Sequence, residues 1–259
     1  MEMIVKSQDP LESELYPDSD GMPMAEKTLQ YEWIVTIKGN LDALFRNDPN
    51  VFVAGDLLWY AVEGNPEIRT APDSMVVFGR PKGHRGSYKQ WREEEIAPQV
   101  VFEILSPGNR DREMEEKFAF YEDHGVEEYY LYYPDEAELR GWRRVEGRLE
   151  AIPQMHHWVS PRLGIRFDIS ESELRIFGPD GRRFLTFQEL VERQERDSQR
   201  AELAESQARE AQRYAAEAQQ KAQLAQQQNE EARQQALLQK QRAERLAAQL
   251  RALGVDPEG

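Results

Sequence analysis

Residues 98–107 read Pro98-Gln99-Val100-Val101-Phe102-Glu103-Ile104-Leu105-Ser106-Pro107. From Val100 to Leu105 both faces of an extended chain are apolar except at one position. That pattern predicts a central strand of a sheet covered on both sides. Strand parity puts Glu103 on the face of Val101 and Leu105, with Phe102 and Ile104 on the other. An ionised carboxylate there costs several kcal/mol unless a cation or several donors meet it. Glu103 is therefore a structural ion pair, a strand end or a functional acid.

Outward from this strand, short runs rich in Val, Ile, Phe and Tyr alternate with Gly, Pro, Asn and Asp. They predict strands at 51–61, 75–78 and 128–133, with weaker ones near 139–145, 148–152, 165–169 and 174–177. Helical spacing of Leu29, Trp33, Ile34, Ile37, Leu41, Leu44 and Phe45 predicts an amphipathic helix over 27–47. A second helix is expected from Asp111 to His124, capped by Gly125. Helices flanking strands make a mixed α/β domain over 27–187. Residues 1–26, acidic and without sustained apolar period, read as a flexible arm.

From Gln188 the texture changes, with no Gly or Pro before Gly254 and an abundance of Ala and Gln. With Ala201 as position a, a and d positions are mostly alanine through more than seven heptads, ending at Leu246, Leu250 and Leu253. This three-four alternation predicts a coiled-coil helix over 188–253, followed by a short tail at 254–259. Alanine buries little area, so the layers are weak until the leucines. Asn229 at an a position favours a parallel dimer in fixed register. The expected partner is a second copy of the chain, the plain alternative being an isolated Ala-rich helix.

The 259 residues include 33 Lys plus Arg, 48 Asp plus Glu and no cysteine, for a net charge of −15. Basic and acidic side chains cancel over 188–253, so all of the excess belongs to the rest. This argues against broad electrostatic attraction to nucleic acid or an anionic membrane, and any such partner must meet a local basic feature. Disulfides, thiolate metal sites and cysteine nucleophiles are excluded as well. With no apolar leader and no run of about 18 apolar residues, a cytoplasmic, soluble protein without membrane contact is expected.

Two further residues stand out beside Glu103. Asp73, after Pro72 at the start of the 75–78 strand, suits a turn, yet that strand is expected to pair with the one carrying Glu103. Lys117 falls between Met114, Phe118 and Tyr121 on the inward stripe of its helix, where it either snorkels or points toward the carboxylates. Two carboxylates suit Mg²⁺ or Mn²⁺. Together with a lysine they make a metal-dependent hydrolytic site for phosphate esters. The adjacent His156 and His157, read as strand residues, point to opposite faces and cannot share an ion. His84 reads as a loop residue, His124 as a helix end, and Asp56 as a turn.

Ala71-Pro72-Asp73, the run 98–107, Lys117, Tyr121 and Gly125-Val126-Glu127-Glu128-Tyr129 together resemble the Uma2 family, of the PD-(D/E)XK nuclease superfamily. The resemblance covers about residues 27–190. It implies a restriction-endonuclease-like mixed sheet flanked by helices, and Mg²⁺- or Mn²⁺-dependent hydrolysis of DNA. It further implies Asp73 and Glu103 as catalytic metal ligands, with the carbonyl of Ile104 as a third. Leu105 stands where the superfamily usually has lysine. In Uma2-like proteins that lysine lies on the following helix, a position that Lys117 fits. Within the basic stretch 79–92, Arg80, Lys82, Arg85 and Lys89 are candidate phosphate contacts, with Tyr88 or Trp91 packing or stacking, unless Glu93, Glu94 and Glu95 neutralise the loop. The competing expectation is an inactive nuclease fold used for binding or assembly through the coiled coil.

Overall fold

The computed structural model describes residues 15–16, 28–105, 111–169 and 173–252. By internal contacts the chain divides into two units, residues 1–190 and 191–259.

The first unit is mixed α/β, as expected. After helix α1 (Thr28–Leu44) come β1 (Val51–Ala54), β2 (Trp59–Tyr60), β3 (Arg69–Thr70), β4 (Ser74–Phe78), β5 (Tyr88–Lys89) and β6 (Val100–Ile104). Helix α2 (Asp111–Asp123) follows, then β7 (Glu128–Tyr133), β8 (Glu138–Val145), β9 (Arg148–Ala151), β10 (Arg166–Ile169) and β11 (Leu174–Phe177). The main sheet has the order β1-β4-β6-β7-β8-β9. Every neighbouring pair in it is antiparallel except β6 and β7, which are parallel. A parallel pair needs a crossover, and α2 lies in the chain between those two strands.

β6 is buried at all five positions, the central strand its composition demands. One face packs Phe102 and Ile104 with Ile34, Ile37 and Leu41 of α1 and with Phe167 and Ile176 of the β10–β11 hairpin. The other packs Val101 and Leu105 with Met75, Tyr121 of α2 and Tyr129. Each large apolar side chain so buried stabilises by about 1.5–3 kcal/mol before entropy is counted. Gly125, at φ +92°, takes the left-handed conformation that ends α2 and sends the chain into β7.

The expected strand over 51–61 is two strands in two sheets. Gly55 and Asp56 turn the chain, Asp56 sits at φ +49°, and its N–H donates to Pro72 O at 3.1 Å. β2 then joins a small sheet, β3-β2-β5, with β5 arising inside the stretch read as a basic loop. Of the proposed flexible arm, Leu15 and Tyr16 are described, and Tyr16 is buried. Its ring meets Tyr60 and Trp91 at 5.2 and 5.0 Å, and its hydroxyl accepts from Gly64 N–H. The rest of the arm, residues 106–107 and the tail 254–259 lie outside the described residues.

Helix α3 (Phe187–Ala252) runs unbroken for 66 residues. Thr186 and Glu189 cap its start reciprocally: Glu189 N–H donates to Thr186 Oγ1 at 3.2 Å, and Thr186 N–H to Glu189 Oε2 at 2.9 Å. Along the second unit its described side chains are almost all exposed, Leu203, Leu224, Leu238 and Leu246 included. Leu253 and the side chain of Leu250 lie outside the described residues. Among the described residues no helix is long and apolar enough to cross a membrane.

Candidate active site

The antiparallel register of β4 on β6 pairs Ser74 with Phe102 and Met75 with Val101. Asp73 stands just before β4, so the register carries the chain toward Glu103, and the Lys117 ammonium feels the charge of both carboxylates. The main chain fixes the first of them: Ile104 N–H donates to Asp73 Oδ2 at 2.6 Å.

Glu103 is 2% exposed and is met from α2. Lys117 Nζ donates to its Oε2 at 2.7 Å, and the Tyr121 hydroxyl donates to its Oε1. Lys117 also reaches Ala71 O at 3.4 Å, beside Asp73. Residues 117 and 121 are one helical turn apart and face the same way, which lets one helix hold both oxygens of a single carboxylate. Burial alone would lower the Lys117 pKa, but the Glu103 and Asp73 carboxylates outweigh it and hold the ammonium above the ordinary lysine value. Burial, then the Glu103 charge, push Tyr121 well up, so the phenol keeps its proton.

In the sequence Tyr121 stands as an inward-facing aromatic and part of the family resemblance, without a role of its own. Its position four residues after Lys117 is the signal that it shares the lysine's target. Tyr129, which closes the motif Gly125–Tyr129, is another polar group to which the sequence assigned no role. It is buried on the Glu103 face, and its hydroxyl has no hydrogen-bond partner among the described residues. Burial and the Glu103 charge raise its pKa.

The candidate phosphate contacts are differently placed. Arg80 Nε and Arg85 Nε lie 2.9 and 2.7 Å from the two oxygens of Glu93, and Arg80 Nη1 lies 2.8 Å from Glu94. Lys82 Nζ donates to Val51 O at 3.1 Å. Lys89 is 8% exposed within β5, its ammonium 5.4 Å from the Tyr16 ring centroid. Tyr88 is fully buried and donates to Ile96 O at 2.6 Å. The loop reading is corrected in that the stretch is partly core, while the alternative of neutralisation by its glutamates holds for Arg80 and Arg85. Lys82, His84, Arg85, Lys89 and Arg92 nevertheless line an open cleft of about 410 Å³.

His156 and His157 are also corrected. They lie in a turn rather than a strand, His157 at φ +64°, and their ring centroids are 3.8 Å apart. A left-handed residue reverses the alternation that would separate neighbouring side chains.

The model of the Uma2 family, described as "Putative restriction endonuclease", matches residues 21–176. A solved structure described as a putative nuclease belonging to DUF820, from Anabaena variabilis, is similar at 17% identity and a TM-score of 0.40. The match covers 54% of this chain and 74% of that one. No curated protein matches.

Proposed function

Because the chain belongs to the Uma2 family, we propose that it is a divalent-metal-dependent endonuclease hydrolysing DNA phosphodiester bonds. The observation that carries this reading is the bond from Ile104 N–H to Asp73, at the residue after Glu103, with Lys117 on the Glu103 carboxylate.

Two carboxylates and the Ile104 carbonyl would be hard oxygen donors, the set that suits Mg²⁺ or Mn²⁺. Glu103 accepts one hydrogen bond on each oxygen and keeps lone-pair capacity on both, so Lys117 and Tyr121 do not exhaust it. When bound, the cation supplies Lewis-acid polarisation of the phosphate and a water of lowered pKa.

The chain's own residues do the remaining work. In hydrolysis a bond forms between a water oxygen and phosphorus, and one phosphorus–oxygen bond to a sugar breaks. Lys117, kept cationic by its carboxylate neighbours, would offset the charge that grows on the phosphoryl oxygens. Tyr121 keeps Glu103 oriented while the lysine is drawn toward substrate. The cleft lined by Lys82, Arg85, Lys89 and Arg92 would contact the sugar–phosphate backbone without reading bases.

The test is cleavage of supercoiled and linear DNA with Mg²⁺ or Mn²⁺ by wild type, Asp73→Asn and Glu103→Gln. Loss in both variants is expected, and equal activity in all three refutes the assignment. A binding or assembly module is the second reading, favoured by the hold of Glu93 on Arg80 and Arg85 in an acidic unit. It requires DNA binding or self-association without cleavage in any metal. In both readings the alanine seam of α3 would bring two chains together as a parallel coiled coil.

A further inference from the structure

We propose that His156, His157 and Asp168 bind a borderline divalent cation, for which Zn²⁺ is the natural probe, at a site separate from Asp73 and Glu103. Among the described residues they are the one group of three His, Asp or Glu able to hold a metal, with one ligand atom from each lying within 4.8 Å of the others. Two imidazole nitrogens and a carboxylate oxygen are the mixed donor set that favours zinc and its neighbours over Mg²⁺, which prefers oxygen alone.

The backbone arranges these donors before any ion arrives. His157 N–H donates to Phe167 O at 2.8 Å and Phe167 N–H to Trp158 O at 3.0 Å, so the turn bearing both histidines is laced to β10, which bears Asp168. Most of the ordering cost of a three-residue site is thereby met in folding. The left-handed His157 sets its ring beside that of His156, and its Nδ1 lies 2.8 Å from Asp168 Oδ1. Asp168 Oδ2 is 3.2 Å from Arg166 Nη2, which steadies the carboxylate and leaves Oδ1 toward the imidazoles.

Binding has a defined cost. The His157–Asp168 hydrogen bond opens, its proton moving to Nε2 or to solvent. His156 Nδ1 gives up the bond it accepts from Ile169 N–H at 3.1 Å. Two exchanged hydrogen bonds and the nearby Arg166 cation make this a site of moderate affinity. Both histidines are exposed and Asp168 is half-buried, so an ion and its completing waters have access.

The experiment is calorimetric titration of the full chain with Zn²⁺, in wild type and in an Asp73→Asn/Glu103→Gln/Lys117→Met background that removes both carboxylates without stranding the lysine. One Zn²⁺ per chain is expected to survive in that background. His156→Ala/His157→Ala and Asp168→Asn should each weaken it at least about tenfold. Arg166→Gln should keep or tighten it. Co²⁺ in the wild type should give visible absorption that the double-histidine variant lacks. Unchanged Zn²⁺ affinity and Co²⁺ absorption in that variant, or no Zn²⁺ bound by the wild type, overturns the site. Neither outcome depends on DNA cleavage.

Discussion

The ammonium of Lys117 lies 2.7 Å from Oε2 of Glu103, on the sheet face that also packs Met75, Val101 and Leu105. Removing one partner of such a pair leaves the other buried and uncompensated. Lys117→Met is therefore expected to destabilise the fold by about 3 kcal/mol in urea unfolding and to abolish cleavage. Adding Glu103→Gln should restore much of the stability and none of the activity.

The same pair sets a pH dependence. Lys117 titrates higher folded than unfolded, so its contribution is complete below the unfolded value of about 10.4 and is lost as pH rises through the folded one. The stability difference between wild type and Lys117→Met should be flat across neutral pH and shrink at the alkaline end.

Buried tyrosines act in the same direction. Burial raises Tyr121, Tyr129 and Tyr130, so the fold holds phenolic protons that the unfolded chain releases above about pH 10. Their phenolate absorbance should appear together with loss of circular dichroism on alkaline titration. Tyrosinate forming in a still-folded chain would contradict their burial.

Glu128 is a second buried glutamate with a different task. Its carboxylate accepts from the Tyr130 hydroxyl at 2.9 Å, from the Ser160 hydroxyl and from Arg162 N–H at 2.8 Å, tying β7 to the segment before β10. Glu128→Ala strands these donors and should cost about 3 kcal/mol. At a temperature where the variant is folded, its cleavage should match the wild type.

Glu93 restrains the basic cleft. Burial works to raise its pKa, but Arg85 and Arg80 prevail and hold it below the ordinary carboxylate range. Glu93→Gln should release Arg85, while Arg80 keeps its bond to Glu94, and should tighten DNA binding at low salt. The slope of log affinity against log salt should steepen by about 1. An unchanged slope would remove Arg85 from the DNA contacts. For α3, deletion of residues 195–259 should convert a dimer to a monomer in sedimentation.

β6 and its misplaced glutamate were legible because a strand apolar on both faces makes one charge conspicuous. α3 was legible because it lacks Gly and Pro for more than sixty residues. The break between β1 and β2 was legible only in part: Asp56 reads as a turn, but that the turn leaves one sheet for another depends on its left-handed conformation and its bond to distant Pro72. β5 was hidden for a similar reason: two residues become a strand by pairing with Trp59 and Tyr60, some thirty positions away. The convergence of His156 and His157 rests on one positive φ that composition does not announce.

The bond from Ile104 N–H to Asp73 has a bearing on how this chain can change. A peptide N–H is supplied by every residue but proline, so the anchor of the first carboxylate is indifferent to the side chain at 104. Packing limits that position to apolar residues of similar volume, but exchanges such as Ile104→Val or Ile104→Leu leave the carboxylate held. Glu103, gripped by two side chains of α2, has no such latitude. The two acids of the proposed site therefore differ in mutational robustness, and drift at Lys117 or Tyr121 would release the grip on Glu103 while the main-chain bond to Asp73 remained.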